Sequence, residues 1–356
     1  MRVKSFQGRA ALSNPSGRFE SLTRADFLDD FSEADDILGS PVRVATVTTE
    51  KSRSILTRNQ SPDIPFEQSI NPYRGCEHGC IYCYARPTHA YMGLSPGLDF
   101  ETRLFVKENA AGLLRKELSR SSYQPRVIAL GANTDPYQPV ERSWRATREI
   151  LEVLQDFRHP VVIITKSALV TRDLDILSEM ASNNLVGVYV SVTTLDPDLS
   201  RKLEPRAASP ERRLSTLRAL SEGGVPTGVM VAPVIPALTD RHMETILEQA
   251  RLSGARHAGY VLVRLPHEVK DLFQEWLSEN VPQKADHVMT LIRDTRGGKE
   301  YVARWGERQR GTGKHADLLA HRFKLATRRL GFNEERWQPD LSKFRVPGRQ
   351  VQMSLF

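Results

Sequence analysis

Short apolar segments alternate with helix-like segments along the chain, and this alternation limits the possible folds more than any other feature. Segments with helical periodicity follow the first five of six predicted strands, and a spacing of roughly 35 residues indicates parallel βαβ units. The strands lack strict alternation of apolar and polar residues, which favours a sheet buried on both faces. The predicted strands are 68–73, 126–132, 161–165, 186–192, 227–233 and 258–265, and the helices between them are 108–120, 148–157, 174–182, 210–224 and 240–252.

The number of units separates the possible α/β folds only in part. Six units are too few for a closed eight-stranded barrel, whereas an open barrel of six strands fits them. A doubly wound sheet has the same periodicity and stays open as an alternative. In either fold the chemistry is expected at the carboxyl ends of the strands. We therefore predict an α/β fold whose core lies within residues 65–285.

Two extensions flank this predicted core. Residues 1–64 are polar, with turn signals such as SNPSG and TRNQSPDIP, and are expected to form an irregular extension. Residues 286–356 are expected to be helical, and their 15 Lys or Arg against 8 Asp or Glu account for the whole net charge of +7. Such a basic segment favours DNA or RNA as a partner, and a solvated helical face is an equal alternative. Its large aromatic residues are expected to pack in the core, namely Trp305, Phe323, Phe332 and Trp337.

The sequence also bears on the cellular compartment. No run of 18 uncharged apolar residues occurs, so we predict no membrane-spanning helix. The N-terminal stretch lacks the apolar core of a secretory signal. The three cysteines of the chain lie within eight positions and cannot form a disulfide framework. We therefore expect a cytoplasmic protein.

The three cysteines follow the first predicted strand with the spacing Cys-x3-Cys-x2-Cys. Three thiolates on one short loop can bind three corners of an iron–sulfur cluster and leave one iron open for another ligand. A structural zinc site needs four ligands, and His78 or His89 could supply the fourth, but such sites usually use two separated segments. Plain core cysteines are a third interpretation, which Gly75, Glu77 and Gly79 disfavour because they indicate a surface turn.

The residues around the cysteines resemble a known family. Tyr82 places an aromatic residue directly before the third cysteine, and Cys-x3-Cys-x-aromatic-Cys at the end of a first strand is similar to the signature of the radical SAM superfamily. The wider stretch NPYRGCEHGCIYCYARP resembles the spore photoproduct lyase-like branch, also called DNA-repair photolyase-like. The resemblance covers roughly residues 66–265 and implies an open partial (β/α)6 barrel, with the irregular and the basic helical extensions on either side.

The resemblance also implies the cofactors. Cys76, Cys80 and Cys83 would bind a [4Fe–4S] cluster, and S-adenosylmethionine would chelate the fourth iron through its amino and carboxylate groups. One electron, from a reducing partner such as flavodoxin or ferredoxin, would cleave the sulfonium. The 5′-deoxyadenosyl radical so formed would abstract hydrogen from a substrate.

Polar residues at the later strand ends resemble positions at which the superfamily binds S-adenosylmethionine. The loop after the second strand departs from the usual Gly-Gly-Glu and also fits an Asx turn. A surface lysine is the alternative for the third strand end. The implied residues are Gly131, Asn133, Thr134 and Asp135 for the amino group, Lys166 for the carboxylate, Ser191 and Thr193 for the ribose, Val231, Ala232 and Tyr82 for the adenine, and Glu204 and Arg206 for the substrate or the cofactor carboxylate.

Hydrogen transfer is where the chain departs from the branch that it resembles. Spore photoproduct lyases use a fourth cysteine as hydrogen donor, and all three cysteines here are assigned to iron. The same route of thymine-dimer reversal is therefore not expected. Tyr84, Tyr91 and Tyr137 are the candidate substitutes, of which Tyr84 and Tyr137 are our predicted catalytic residues.

The last five residues resemble the peptide by which bacterial proteins bind the sliding clamp. They are Gln352, Met353, Ser354, Leu355 and Phe356. An extended peptide of this kind would place its Leu-Phe pair in an apolar pocket and anchor its Gln at the edge. A terminal strand packed on the body is the alternative interpretation.

Three hypotheses of function follow. The leading one is a radical SAM enzyme acting on nucleic acid, in DNA repair or modification. The second is a radical SAM enzyme acting on a peptide or a small molecule, whose binding to DNA would be weak and insensitive to salt. The third is a non-enzymatic nucleic-acid adaptor with a structural zinc or iron–sulfur loop, which metal analysis would distinguish from the other two.

Overall fold

A computed structural model describes residues 8–20 and 44–348. Two sheets and eleven α-helices are found in these residues. The strands are β1 (Thr46–Glu50), β2 (Leu56–Arg58), β3 (Gln68–Ile70), β4 (Tyr73–Arg74), β5 (Arg103–Lys107), β6 (Ile128–Leu130), β7 (Val161–Thr165), β8 (Val186–Ser191), β9 (Thr227–Val234) and β10 (His257–Leu262). The α-helices are α1 (Leu98–Thr102), α2 (Ala110–Leu118), α3 (Glu141–Trp144), α4 (Ala146–Asp156), α5 (Leu174–Ser182), α6 (Pro197–Leu203), α7 (Pro210–Glu222), α8 (Met243–Leu252), α9 (Val269–Asn280), α10 (Ala285–Asp294) and α11 (Lys314–Arg329). Short 3₁₀ helices are Arg86–Thr88, Ala90–Met92, Ala168–Asp173, Asp240–His242, Pro282–Lys284 and Leu341–Lys343.

The main sheet has seven strands in the order β10-β9-β8-β7-β6-β3-β2. Every neighbouring pair from β3 to β10 is parallel, and β2 runs antiparallel to β3 at one edge. The six parallel strands therefore follow one another in chain order. A doubly wound sheet reverses its strand order, so this alternative is wrong. The predicted α/β fold with six parallel strands, the arrangement of an open partial (β/α)6 barrel, is confirmed.

The helices between the strands cover one side of the main sheet. α4 buries Ile150, Leu151 and Leu154, which recur at helical spacing, in the largest apolar cluster of the structure. α2 packs against α4, α4 against α5, and α7 against α8. α7 begins where the Ser209 hydroxyl accepts a bond from the backbone of its first turn, and Pro210 occupies the first helical position. This packing fixes the strand ends, which carry the predicted site.

A second, small sheet was not predicted. It has the order β1-β5-β4, in which β1 and β5 are parallel. β1 has the sequence TVTTE and remains largely exposed, so it has no apolar alternation that would reveal a strand. β1 and β2 both lie in the extension expected to be irregular, and β2 joins the main sheet.

The basic C-terminal extension contains α11 but also a long non-helical segment. Phe323 is buried on α11, where it packs on Tyr260 of β10 with ring centroids 4.7 Å apart. Residues 299–313 contain no α-helix and run beside β10, where the Leu262 amide donates to the Gln309 carbonyl oxygen at 2.9 Å. Trp305 of this segment is 58% exposed, so the expectation that it packs in the core is wrong.

Within residues 8–20 and 44–348, no helix is both long enough and apolar enough to cross a membrane. The clamp-binding-like residues 352–356 lie outside the described part of the chain.

Candidate active site

The three cysteines lie on the loop that follows β3 and β4, at the carboxyl end of the parallel sheet. They are free thiols; Cys76 and Cys80 are buried and Cys83 is half-buried. The loop backbone turns tightly, because the Cys83 amide donates to the Cys80 carbonyl oxygen at 3.1 Å. The Cys76 amide donates to the Phe100 carbonyl oxygen at 2.9 Å, which ties the loop to α1. The predicted position of the cysteine loop at a strand end is therefore observed.

A buried arginine holds this loop in shape. Arg86 is fully buried and donates to the carbonyl oxygens of Cys80 and Gly79 at 2.9 and 3.0 Å. The same guanidinium donates to the carbonyl oxygens of Pro96 and Gly97 and forms an ion pair with Glu101 at 2.5 Å. A planar guanidinium with all donors engaged fixes several backbone segments at once. Arg86 thereby orders the loop that carries the thiols.

The N-terminal residues 8–20 cross the cysteine loop. The Ala10 and Ala11 amides donate to the Glu101 carboxylate at 3.2 and 3.0 Å, and the Arg9 guanidinium donates to the Glu101 carbonyl oxygen at 2.8 Å. Both alanines are buried in one apolar cluster with Cys80. This segment, expected to be irregular, thus forms a strap that shields the loop from water.

The donor set fits the [4Fe–4S] cluster that the sequence implies. Burial raises the pKa of all three thiols, and the neighbouring thiols raise the pKa of Cys76 and Cys80 further. The thiols are therefore close together and protonated at neutral pH unless a bound metal displaces their protons. Among residues 8–20 and 44–348, no group of three or more His, Cys, Asp or Glu side chains is placed to hold a single metal ion. In a cluster each thiolate binds a different iron, so the thiols need not converge on one point.

Tyr82 joins the cysteine loop to the fourth and fifth parallel strands. Its hydroxyl donates to the buried carboxylate of Glu204 and lies 3.2 Å from the Thr193 hydroxyl. The Thr193 hydroxyl lies 2.7 Å from the Glu204 carboxylate and 3.1 Å from the Ala232 carbonyl oxygen. Arg213 forms a buried ion pair with Glu204. Four predicted residues from four segments are thus brought together beside the cysteine loop.

Lys166 follows β7 and faces the same region. Its ammonium nitrogen lies 5.9 Å from the centroid of the Tyr82 ring. Its charge lowers the pKa of Cys80 and Cys83, against the larger effect of burial, and so lies near both thiols. No carboxylate lies within ion-pair distance of this half-buried ammonium in the described residues. Lys166 therefore offers a positive charge to a bound anion.

The loop after β6 has a structural part in the site. Gly131 has a φ of +90°, and a Cβ there would lie 2.0 Å from the Ile164 carbonyl oxygen. Asp135 accepts bonds from the Thr165 hydroxyl and the Lys166 amide, both at 2.7 Å. The Thr134 hydroxyl donates to the Tyr73 carbonyl oxygen at 3.0 Å. These groups are committed to holding β6, β7 and the cysteine loop together.

His78 and Arg206 lie on the cysteine loop side of this arrangement. His78 is buried with its Nδ1 3.4 Å from an Asp135 oxygen. Burial alone would raise the pKa of Asp135, but the contact with His78 helps to lower it to about 2. Arg206 donates to Glu77 at 3.1 Å. Both side chains therefore have partners within the protein.

The remaining predicted residues lie at the ends of β8 and β9. Ser191 is buried at the end of β8, and its carbonyl oxygen accepts a bond from Arg213 at 3.0 Å. Val231 is buried within β9, and Ala232 follows it. These positions border the region that holds Tyr82 and Thr193.

The two predicted catalytic tyrosines have different surroundings. Tyr84 directly follows Cys83 and is 42% exposed, and its hydroxyl donates to the Ala132 carbonyl oxygen at the end of β6. Tyr137 is completely buried in the main core, and its hydroxyl donates to Asp173 at 3.1 Å. Tyr84 is therefore accessible from the surface, whereas Tyr137 lies within the core.

Sequence reasoning missed several residues of the site. Arg86, Glu101 and Arg213 act through contacts with distant segments, and no local pattern distinguishes them from surface charges. Arg264 was also missed, although its position at the end of the sixth predicted strand, 258–265, is a signal that could have found it. Its guanidinium carbon lies 4.1 Å from the centroid of the Tyr84 ring.

Comparisons with known proteins agree with this arrangement. A sequence model of the radical SAM superfamily matches residues 70–250, about half of the chain. An uncharacterized protein of Mycobacterium tuberculosis is 39% identical over 232 residues, which are 65% of this chain and 68% of that protein. A Pseudomonas phage M6 protein named radical SAM Nα-GlyT isomerase is 26% identical over 200 residues, which are 54% of this chain and 39% of that protein.

A solved structure has the same fold. Spore photoproduct lyase complexed with dinucleoside spore photoproduct matches with a TM-score of 0.58 and 15% identity, over 81% of each chain. A mutant of that protein has been solved with bound AdoMet and the same photoproduct, with a TM-score of 0.57 to this chain. At this identity the likeness shows the fold alone. With the family match over half of its length, the chain belongs to the radical SAM superfamily and is an enzyme.

Proposed function

We propose that the enzyme holds a [4Fe–4S] cluster on Cys76, Cys80 and Cys83, cleaves S-adenosylmethionine there, and uses the resulting radical on a nucleic acid. When bound, the cluster and S-adenosylmethionine supply a 5′-deoxyadenosyl radical that abstracts hydrogen. The observation that carries the proposal is the set of three buried thiols at the carboxyl end of a six-stranded parallel sheet. The chain has no fourth cysteine, so one corner of the cluster would remain for another ligand.

The residues around the thiols support a binding site for S-adenosylmethionine. Lys166 would pair with its carboxylate, because this half-buried cation has no other anion among residues 8–20 and 44–348. Thr193 and Ser191 would face its ribose. Tyr82, with Val231 and Ala232 of β9, would contact its adenine, and the hydrogen bond of Tyr82 to Glu204 holds the phenol ring in place.

Fewer residues are available to bind the amino group of S-adenosylmethionine than the resemblance implied. Asp135 and Thr134 use their side chains within the protein, and Gly131 serves the backbone turn. The Asn133 side chain makes no hydrogen bond to the part of the chain that is described, while its backbone amide donates to the Asn71 side chain at 3.0 Å. We therefore assign the amino group to Asn133, with the other three residues as positioning residues.

The fold also protects a reactive radical from water. Ala10 and Ala11 of the strap and Ile81 of the loop are almost completely buried. Water exclusion prevents side reactions of reactive intermediates. Tyr84 is the proposed hydrogen donor, because it is the exposed tyrosine next to the thiols.

The nucleic-acid substrate is supported by observations other than those that support the cofactors. The phage relative is named for an isomerase, and the solved structure with the same fold contains a dinucleoside photoproduct. The charge of the C-terminal extension is partly used within the protein, since Arg322 and Arg329 of α11 pair with Glu244 and Glu248 of α8. Arg304 and Arg308 of the segment 299–313 also pair, with Glu307 and Asp63. Arg310 is exposed and forms no ion pair among the described residues, so the surface around Arg310 is the better candidate. We also propose that a sliding clamp binds residues 352–356 and that flavodoxin or ferredoxin is the reductant.

The first experiment tests the cofactor chemistry without a substrate. The full chain is purified without oxygen, reconstituted with iron and sulfide, reduced, and mixed with S-adenosylmethionine. We expect an electron paramagnetic resonance signal that S-adenosylmethionine perturbs, and 5′-deoxyadenosine by chromatography, with both lost in Cys80→Ala. Protein that binds zinc without acid-labile sulfide, and that forms no 5′-deoxyadenosine, would support the adaptor instead.

A second experiment tests the role of Lys166. Loss of a charged hydrogen-bond partner costs about 1.5 to 3 kcal/mol, so Lys166→Met should raise the Kd for S-adenosylmethionine about 10- to 150-fold. Lys116→Met, an exposed lysine on α2, is the matched control and should leave this Kd unchanged. If the Lys166→Met variant and the wild type bind S-adenosylmethionine with equal affinity, Lys166 does not contact this ligand.

A further inference from the structure

Two arginines beside the cysteine loop form no ion pair within 4.0 Å in the described residues, although the carboxylates of Glu307 and Asp63 lie near enough to interact with Arg296 and Arg264 at longer range. Arg264 is half-buried and lies two residues after the end of β10. Its guanidinium carbon is 4.1 Å from the centroid of the Tyr84 ring. Arg296 is only 3% exposed and donates to the Val263 carbonyl oxygen at 2.9 Å, next to Arg264 in the chain. The Arg296 Nε is buried and has no hydrogen-bond partner. The two cations therefore lie together at the mouth of the sheet.

Three other buried or half-buried arginines differ in this respect. Arg86 pairs with Glu101, Arg213 pairs with Glu204, and Arg308 pairs with Asp63 at 2.5 Å. Arg264 and Arg296 have no carboxylate within 4.0 Å among residues 8–20 and 44–348, and Arg296 donates its other bonds to carbonyl oxygens.

An unpaired buried charge carries a desolvation penalty of several kcal/mol. Burial, and then the charge of Arg264, lower the pKa of Arg296 to about 10, so Arg296 stays charged at neutral pH. The energetic deficit of this pair is relieved if an anion binds between them.

We propose that Arg264 and Arg296 form a subsite for a phosphodiester group of the substrate. This inference rests on the proposed function, because it names the part of a nucleic acid that the active site would hold. Guanidinium groups bind phosphate oxygens in a bidentate geometry. A phosphate at this point would lie beside Tyr84, and thus next to the thiols at which the radical chemistry is proposed.

The neighbouring surface favours a nucleic acid over a carboxylate ligand. Arg310 is exposed, and its guanidinium carbon lies 4.2 Å from the centroid of the Tyr260 ring. Trp305 of the same segment is 58% exposed. Alternating cations and exposed aromatic rings are typical of surfaces that hold single strands by phosphate contact and base stacking. Residues 304–310 offer one exposed ring, Trp305, and one cation without an ion pair among the described residues, Arg310. They adjoin the two arginines, because Arg296 donates to the Glu307 carbonyl oxygen at 2.7 Å.

The test measures binding of a fluorescein-labelled ten-nucleotide oligothymidylate to the reconstituted full chain by fluorescence anisotropy at several salt concentrations. Each phosphate contact contributes about 0.7 to the slope of log K against log salt for single strands. Arg264→Gln should raise the Kd about tenfold and reduce this slope by about 0.7, and Arg264→Lys should keep the slope.

Arg115→Gln is the matched control, since Arg115 also lies on an aromatic ring, 5.6 Å from the Phe157 centroid, but on the helical side of the sheet. It should bind as the wild type does. Melting temperatures and iron content confirm that the variants are folded and loaded. The subsite is refuted by an Arg264→Gln variant with wild-type Kd and slope, or by a wild type that does not bind the oligonucleotide. If the wild type forms 5′-deoxyadenosine but does not bind the oligonucleotide, the phosphodiester subsite is refuted and the proposed cofactor chemistry is not.

Discussion

Asp63 and Arg308, 245 positions apart in the chain, form an ion pair with 2.5 Å between the carboxylate and Nε. Asp63 lies in the loop between β2 and β3, and Arg308 lies in the segment beside β10, so the pair joins elements next to opposite edges of the main sheet. In a flat sheet of seven strands the edge strands would be about 29 Å apart, at about 4.8 Å per spacing. The sheet is therefore strongly curved, as a partial barrel requires.

The ion pair should contribute to stability, because the Asp63 side chain is only 7% exposed. Arg308→Ala leaves Asp63 with the Gly306 amide as its remaining donor. We expect a loss of about 1 to 3 kcal/mol in the free energy of unfolding, measured with urea. Hydrogen exchange should also accelerate in the loop 59–67. Arg304→Ala breaks an exposed pair with Glu307 and should change stability by no more than about 0.5 kcal/mol. Equal losses in the free energy of unfolding from Arg308→Ala and Arg304→Ala would show that the buried Asp63–Arg308 pair contributes no more than an exposed ion pair.

The strap should protect the cluster from oxygen. Ala11 is completely buried beside Cys80, and its amide donates to Glu101. Ala11→Asp places a second carboxylate next to Glu101, and a buried unpaired charge costs several kcal/mol, so the strap should detach. The visible absorbance of the reconstituted cluster should then decay several-fold faster in air, and residues 8–20 of the apoprotein should become sensitive to protease.

Phe19→Ser is the control for the strap. Phe19 is exposed and stacks on Tyr91, which is also exposed, with ring centroids 5.0 Å apart. Its substitution should leave both the decay rate and the protease resistance near those of the wild type. If Ala11→Asp behaves in the same way, the strap has no protective role.

The sequence was sufficient for the parallel sheet because apolar runs and helical periodicity are local signals. The segments 161–165 and 186–192 were predicted as strands and are β7 and β8 with at most one residue of difference. β5 was missed because it directly follows α1 and has the mixed sequence RLFVK. β1 was missed because most of its side chains face water. Strands that are stabilised by pairing rather than by burial have no such signal.

The residues of the candidate site also fall into those with a local sequence signal and those without one. The three cysteines and Tyr82 lie within eight positions, so their spacing alone predicts that they act together. Arg86 and Glu101 are ordinary charges in the sequence and become a buried pair only when α1 packs beside the loop. Asp135 was predicted to bind a cofactor, but both of its oxygens accept bonds from the protein. Sequence position identified the strand ends, whereas the partner of each polar group depends on contacts between distant segments.

Gly131 tests how closely β6 must approach β7. An alanine Cβ would lie 2.0 Å from the Ile164 carbonyl oxygen, and the φ of +90° is unfavourable for any other residue type. Gly131→Ala should therefore reduce the free energy of unfolding by about 3 kcal/mol or more, and it should weaken binding of S-adenosylmethionine because Lys166 would shift. Gly112 lies on α2, where an added Cβ would have no neighbouring atom within 4 Å, so Gly112→Ala should stabilise the protein by about 0.5 to 1 kcal/mol. The free energies of unfolding of both variants are measured with urea. A loss in Gly131→Ala alone indicates a clash at Gly131, whereas equal changes in both variants indicate a general effect of replacing glycine by alanine.

His159 should make the stability of the fold dependent on pH. The ring is completely buried; its Nδ1 donates to the Pro160 carbonyl oxygen at 2.9 Å, and its Nε2 lies 2.7 Å from the Tyr123 hydroxyl. Burial lowers its pKa to about 4, although the bond to Pro160 opposes this shift.

Because the unfolded pKa of histidine is about 6.5, the unfolded chain binds more protons between pH 6.5 and 4, and stability must fall as the pH decreases through that range. One such group accounts for a loss of about 2 kcal/mol by pH 5. We expect His159→Gln to be less stable at pH 7 but to lose about 2 kcal/mol less than the wild type between pH 7 and pH 5, measured by urea unfolding. His321→Gln, on the exposed side of α11, should keep the wild-type pH dependence. Parallel pH profiles for wild type and His159→Gln would show that His159 is not the titrating group.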